Sequence, residues 1–340
     1  MARGDDPALV VREVEAMHAA GFRRVVLIPF VYADFKTGEV KQDWPGSRTG
    51  TITDAELTAA AKRAKALGMA VNVTPFVEPR DRSTGRNNLT FTPDTDAGRR
   101  FWADYRTHVV HFAGLARAAG VDEFNVGSEL VGLDYQRKNA GEWDRLINES
   151  ADAFGGNVGY TTQHWTFDQD ATIEMIWKHP KIVAVSISAY LSWQPEHGHA
   201  GLASPDDCRG TASDGDAFVA LVTKNFDDFY AKRLGPVARL VGKPVRIGEF
   251  GVPPVDTATT TPWRWDWPKQ TPPDTTEAAN AWRGVLAAVD RHPEIQSVDA
   301  WIWDWRGGFT GEPFRLRPGN PYNAAAMKVL TDYANAAGHR

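Results

Sequence analysis

From residue 6 to residue 127 one pattern recurs three times: an amphipathic helix, a glycine that stops it, and a short β-branched run. A strand that always follows a helix is returned to the same end of the sheet, so the pattern calls for parallel strands joined by helical crossovers. In the first pass Asp6 caps a helix opened by Pro7, Val10, Val14 and Met17 share one face, Gly21 ends it, and a strand covers 24–31. The second has Thr53 and Glu56 in capping-box spacing, a buried face of Leu57, Ala61, Ala64 and Leu67, a stop at Gly68, and a strand over 69–76. The third runs from about Asp96 through Phe101, Tyr105, Phe112 and Leu115 to Gly120, with a strand over 121–127.

Further strands read at 158–162, 182–188, 244–248 and 298–303, and a final helix at 324–337. Seven strands with a helix before the first and after the last fit a (β/α)8 TIM barrel whose first strand is absent from the readable pattern, its natural place being upstream of Asp6. The passes share a pattern without repeating a sequence, and no linker marks a boundary. The expectation is therefore a single (β/α)-barrel catalytic domain over 1–340. The longest irregular insertion, 252–276, is rich in Pro, Thr and Trp and directly follows a strand, which makes it a candidate substrate wall.

Composition removes several function classes. The 38 basic and 43 acidic side chains are mixed along the chain, so no basic stripe invites nucleic acid or anionic lipid. Cys208 is the sole cysteine, which excludes an intrachain disulfide and a Cys-based zinc site. No apolar run approaches the ~18–20 residues of a membrane span, and the opening residues lack the apolar core of a signal peptide. The chain as it stands reads as soluble, cytoplasmic unless a longer N-terminus carries a secretion signal. No phosphate-cradling loop, nucleotide fingerprint or Gly-x-Ser-x-Gly elbow follows any strand, and no cofactor is called for. Thirteen tryptophans stand out, many of them just beyond expected strands.

Two glutamates sit at strand ends, Glu129 in FNVGSEL (124–130) and Glu249 in VRIGEFG (245–251). Strand-end carboxylates of a parallel barrel converge on one mouth whatever their separation in sequence. Glycosidic cleavage needs such a pair, one protonated to help the leaving oxygen depart and one ionised to attack or stabilise the anomeric carbon. Gly127 and Gly248 stand close before them and leave room for a sugar ring against the backbone. A single glutamate of this kind could equally be a helix-start residue favoured by the dipole.

Together with 25–34 and VSISAY (185–190), the segments FNVGSEL (124–130) and IGEFG (247–251) resemble glycoside hydrolase family 113, the β-mannanase family of the large clan of retaining (β/α)8 glycosidases. The resemblance extends over most of the chain. It implies Glu129 as general acid/base, Glu249 as nucleophile, and Tyr190 as a hydrogen-bond donor to Glu249. It implies an oligo- or polysaccharide substrate, mannan-type or related. The clan usually carries Asn immediately before the acid/base, contacting the sugar 2-hydroxyl; here Ser128 stands in that place with a shorter reach.

Trp303, at the end of the last expected strand, is a ring that can stack under the sugar cleaved. Trp165, Trp193, Trp263, Trp265 and Trp267 in loops after strands are further stacking candidates, and His164 beside Gln163 can hydrogen-bond sugar hydroxyls. Glu78, Arg80, Asp34 and Asp304 are weaker candidates, equally readable as loop scaffolding. His197 and His199 have metal-pair spacing, but the strand ends offer no further ligand set, so no metal is expected. Two alternatives stay open: a catalytically silent carbohydrate-binding barrel, and a clan glycosidase of different sugar specificity.

Overall fold

Asp6 opens the structure as its sequence signals: its Oδ1 accepts the N–H of Leu9 at 2.9 Å and Pro7 starts the first helix. The computed structural model describes residues 6–42, 44, 51–81, 84–192, 215–264, 273–303, 314–317, 320 and 323–337. In chain order the elements begin α1 (Pro7–Ala19), β1 (Arg24–Leu27), β2 (Phe30–Ala33), β3 (Val40–Lys41), α2 (Asp54–Ala66), β4 (Ala70–Val73) and β5 (Phe76–Pro79). They continue with α3 (Asp96–Ala118), β6 (Glu123–Ser128), α4 (Val131–Asp134), α5 (Ala140–Phe154), β7 (Gly159–Gln163), α6 (Asp170–Thr172) and β8 (Val185–Ser188). The last are α7 (Gly215–Phe229), α8 (Gly235–Val241), β9 (Val245–Phe250), α9 (Thr275–Val289), β10 (Ile295–Ala300) and α10 (Ala324–Ala337).

The chain forms two compact units, the first made chiefly of Arg23–Ile187 and the second chiefly of Ser188–Pro236 and Val245–Arg340. In the first unit α1 packs on α2, whose capping box is complete: Thr53 caps the Glu56 N–H and Glu56 returns to the Thr53 N–H. Glu56 also accepts the Asp6 N–H at 2.8 Å and so joins the starts of both helices. The parallel strands follow the order β1, β4, β6, β7, β8.

The expected strands over 24–31 and 69–76 are each broken in two, and the reason is proline. Pro29 and Pro75 carry no N–H for the ladder. The leading halves β1 and β4 pair in register from Arg24↔Ala70 to Leu27↔Val73. The trailing halves β2 and β5 pair in a separate three-stranded sheet, with β3 antiparallel to β2. The Phe76 N–H, donated to the Pro29 carbonyl at 2.9 Å, carries the chain from one sheet into the other.

Four of the thirteen tryptophans supply core: Trp102, Trp143 and Trp282 on helices, and Trp177 after α6, are buried completely or nearly so. Trp102, Trp143, Tyr160 and Trp177 form a chain of ring contacts with centroids 4.9–6.0 Å apart. Tyr160 brings that aromatic layer to the end of β6.

In the second unit β9 and β10 pair in parallel, and α7 and α10 pack on α9. Gly284 leaves room for the approach of α7: a Cβ there would lie 2.6 Å from the Cβ of Val222. Helix α10 has the expected bounds, whereas α5, α7 and α9 were unread. Insertion 252–276 is partly core: Thr257, Ala258, Thr259 and Thr260 are buried, and Glu277 of α9 accepts the N–H groups of Thr257 and Thr259 at 3.0 and 2.7 Å. Among the described residues, β1 has one neighbour in this parallel set, β4, and β10 one, β9. Seven parallel strands alternating with helices make this a (β/α) barrel with no eighth strand among the described residues.

Candidate active site

Glu129 leaves the sheet through an irregularity. Asn125 pairs with Gly159 and Ser128 with Thr161, so three steps along β6 match two along β7, a bulge immediately before the glutamate. Glu129 itself is left-handed at φ 55, a conformation that a side-chain-bearing residue adopts only when its surroundings impose it. Two hydrogen bonds do so: the Glu129 N–H to the Thr161 carbonyl at 2.8 Å, and the Leu130 N–H to the Tyr160 hydroxyl at 3.0 Å. Tyr160 donates in turn to Asp134 at 2.9 Å, and Thr162 donates to the same carboxylate oxygen at 2.5 Å. Complete burial pushes the Asp134 carboxyl up to about 7, against the lowering by those two donors.

Gly127 serves packing. A Cβ there would stand 2.5 Å from the Tyr105 hydroxyl and 3.1 Å from the Leu130 side chain, so the space is already filled by protein. The expectation that it leaves room for a sugar ring is therefore corrected. The Tyr105 hydroxyl donates to the Val126 carbonyl at 2.7 Å, and burial raises its pKa.

The Glu129 side chain is buried and meets a residue that the sequence reading passed over. Arg86, in a short 3-10 turn (Arg86–Asn88) after β5, places Nη2 2.7 Å from Glu129 Oε2 and Nη1 2.6 Å from Glu78 Oε1. Its guanidinium carbon lies 4.0 Å from the centroid of the Phe76 ring. Glu78 is thus explained as a partner of Arg86. Arg80 pairs with Asp34 at 2.8 Å and lies over Trp44, and Asp34 also accepts the N–H groups of Lys36 and Thr37. Those bonds hold the Asp34 carboxyl below the usual range, the Thr37 N–H contributing most, and the residue is turn scaffolding. An arginine in a loop carries no periodic or capping signal, and only the proximity of Glu78 in sequence hinted at a charge cluster.

Glu249, in the second unit, ends β9 and is buried. The Tyr190 hydroxyl donates to its Oε1 at 2.7 Å, bringing two of the expected residues together. The strands are tied at the same level: the Ala189 N–H donates to the Glu249 carbonyl at 2.8 Å. Tyr190 is held edge-on by Phe314, and Phe250 by the buried Trp282. Trp301 follows β10 directly and donates its N–H to the Phe250 carbonyl at 2.7 Å. Trp303 packs edge-on against Phe22, centroids 6.2 Å apart.

Ser128 and His164 are buried, whereas Trp165 is 48% exposed and Trp263 39%. Trp193, Trp265, Trp267, His197, His199, Cys208 and Asp304 lie outside the described residues. Asp256, Asp274 and Glu277 bring carboxylate oxygens within 4.8 Å of one another, but both Glu277 oxygens already accept bonds from the Thr257–Thr259 loop. A groove of about 570 Å³ lined by Arg137, Asp144, Glu174, Met175, Lys178 and His179 contains none of the expected site residues. Among the described residues no helix is long and apolar enough to cross a membrane.

Parallel strands ending in buried, hydrogen-bonded glutamates are the arrangement of barrel hydrolases that act on sugars. The sequence matches the profile of Glycoside Hydrolase Family 113 over residues 8–311, and the chain belongs to that family. It is accordingly a glycoside hydrolase, with an oligo- or polysaccharide as the class of substrate. The structure is similar to that of the GH113 β-mannanase AaManA from Alicyclobacillus acidocaldarius in complex with ManMIm, with a TM-score of 0.69, 20% identity, and coverage of 96% of this chain and 91% of that one. A complex of a GH113 β-1,4-mannanase gives 0.71 and 17%, covering 96% and 93%. A variant GH5_18 enzyme from Streptomyces cattleya in complex with Manβ1-4GlcNAc gives 0.58 and 14%, covering 98% and 76%. These likenesses show the (β/α)8 TIM-barrel fold. A comparison with curated protein sequences found no match.

Proposed function

We propose that the chain is a retaining β-glycoside hydrolase acting on mannan-type or related polysaccharide or its oligosaccharides, with residues 1–340 working as one catalytic domain. The observation that carries this reading is the 2.7 Å hydrogen bond from Tyr190 to Glu249. A donor aimed at a buried carboxylate favours its ionised form, which is the state a nucleophile needs. The sugar preference rests on the family and on the β-mannanases among its solved structures.

In the first step Glu249 attacks the anomeric carbon and the bond to the leaving oxygen breaks, while Glu129 gives that oxygen its proton. In the second, ionised Glu129 takes a proton from water as the water attacks the glycosyl-enzyme and releases Glu249. Two displacements at one carbon return the β configuration, and the mechanism requires carboxyls about 5–5.5 Å apart. Ser128, His164, Trp165, Trp193 and Trp303 are proposed to contact the sugar. Ser128 in the place of an asparagine favours a second reading at this level, a clan glycosidase whose sugar differs from mannose.

Kinetics of the two glutamate variants test the roles. A good leaving group departs without a proton, so Glu129→Ala should keep partial activity on an activated aryl β-glycoside, lose it on oligosaccharides, and speed up with azide to give a β-glycosyl azide. Glu249→Ala should lose both substrates and yield an α-azide on rescue. The exchanged pattern would reverse the assignment. Equal loss without rescue would remove the covalent mechanism, and absence of hydrolysis across a panel of β-glycosides and polysaccharides by the unmodified chain would favour the silent barrel.

A further inference from the structure

Glu129 faces a charge cluster that a two-carboxylate mechanism does not call for. Arg86 sits between two acids, 2.6 Å from Glu78 and 2.7 Å from Glu129, with all three side chains largely buried. Its position is overdetermined: the Phe76 ring lies under the guanidinium, and Phe76 itself begins the β5 strand that carries Glu78. Among the described residues, polar groups near Glu129 include the Tyr160 hydroxyl on the Leu130 N–H, Asp134 behind Tyr160, and Tyr105 on the Val126 carbonyl. Ser128 and His164 are buried on β6 and after β7. Among these, Arg86 is the group whose charge bears directly on the Glu129 carboxyl.

A bare arginine against an acid/base would be a poor arrangement. Its charge would stabilise the carboxylate and so oppose the protonated state from which the first step starts. Glu78 changes that balance, because it offsets the guanidinium charge from the far side while leaving its geometry in place. A planar guanidinium with one carboxylate on each Nη then acts as a positioning fork. It fixes Oε2 of Glu129 and leaves Oε1 to meet the glycosidic oxygen.

We propose that Arg86 and Glu78 form a positioning pair for the acid/base, in which Arg86 orients Glu129 and Glu78 sets how strongly Arg86 draws Glu129 toward its ionised form. This rests on the reading of Glu129 as acid/base. Neutralising Glu78 concentrates the Arg86 charge on Glu129 and also removes a like charge nearby; neutralising Arg86 removes the cation. The two substitutions therefore act on the Glu129 proton in opposite senses, and Arg86→Lys, which keeps the charge but not the fork, separates positioning from charge alone.

The test is the titration of the Glu129 carboxyl, followed by NMR in protein labelled at the glutamate carboxyl carbon and assigned by the Glu129→Gln spectrum. Glu78→Gln should move its midpoint to lower pH and Arg86→Gln to higher pH. The high-pH limb of kcat/KM on a substrate with a poor leaving group should move the same way in each variant. Arg86→Lys, which keeps the charge and loses the fork, should leave the midpoint near that of the unmodified protein while kcat on the poor substrate falls about tenfold or more and an activated aryl glycoside is spared. Thermal melts of each variant report folding, and Arg86→Lys with Glu78→Gln suffices should Arg86→Gln not fold. Midpoints that stay put in both neutralising variants, or move in the same direction, overturn the pair. Opposed midpoints with a stationary kcat/KM limb would uphold the pair and overturn instead the acid/base reading of Glu129.

Discussion

Tyr190 and Glu249 meet through one hydrogen bond of 2.7 Å inside a buried setting, and its loss has a calculable size. A bond to a charged group is worth about 1.5–3 kcal/mol, so Tyr190→Phe should lower kcat/KM roughly 10- to 150-fold. With the donor gone, Glu249 needs a higher pH to stay ionised, and the low-pH limb of kcat/KM should move up. Activity within about twofold of the unmodified enzyme and an unmoved limb would mean that the hydroxyl does not serve the nucleophile. Both glutamates were legible in the sequence because strand-end position and short flanking motifs are local, whereas the Tyr190 contact was an implication of the family resemblance. Arg86 was not legible, since its partners Glu78 and Glu129 come from two different strands and only folding joins them. Trp303 stays a proposed sugar platform, its ring meeting Phe22 edge-on.

At the scale of elements, the bulge in β6 and the left-handed Glu129 are one device, since both turn the chain just where the carboxylate must leave the sheet. Gly127 belongs to it by making space for Tyr105. Gly127→Ala drives a methyl into the Tyr105 hydroxyl and should cost about 1–3 kcal/mol, seen as a melting temperature lowered by several degrees together with reduced kcat. Adding Tyr105→Phe should recover part of the loss. An unchanged melting temperature with a raised KM would restore the idea that the glycine faces the sugar. Helix α1, α2 and α3 and the closing helix could be read from caps and periodicity. The strand breaks at Pro29 and Pro75 could also have been read, because a residue without N–H cannot continue a central ladder. The burial of the 257–260 loop could not: it depends on Glu277, far along the chain and on another element.

For the molecule as a whole, Asp134 links the site to stability. Its folded carboxyl titrates at about 7, above the unfolded value near 3.8, so the folded state holds a proton that the unfolded state has released between those values. The contribution is complete below about 4 and disappears as pH rises through about 7, a difference on the order of 4 kcal/mol. Urea denaturation at stepped pH should show the stability of the native sequence, minus that of Asp134→Asn, falling across this interval. A flat or rising difference would contradict an Asp134 buried with its proton. The seven-strand parallel order was legible from helix–strand alternation alone, because periodicity and glycine stops are repeated along the chain, whereas the two packed units were not, since no composition shift marks them.

The proposed reaction runs through a covalent intermediate on Glu249, and trapping that intermediate tests it most directly. A 2-deoxy-2-fluoro glycosyl fluoride of the sugar that the enzyme hydrolyses slows both steps but departs readily, so the glycosyl-enzyme accumulates. Intact mass should rise by one fluoroglycosyl group, and peptide sequencing by mass should place it on Glu249 within residues 245–251. A label on Glu129 or any other residue, or complete turnover with an inverted product and no adduct, would contradict the account.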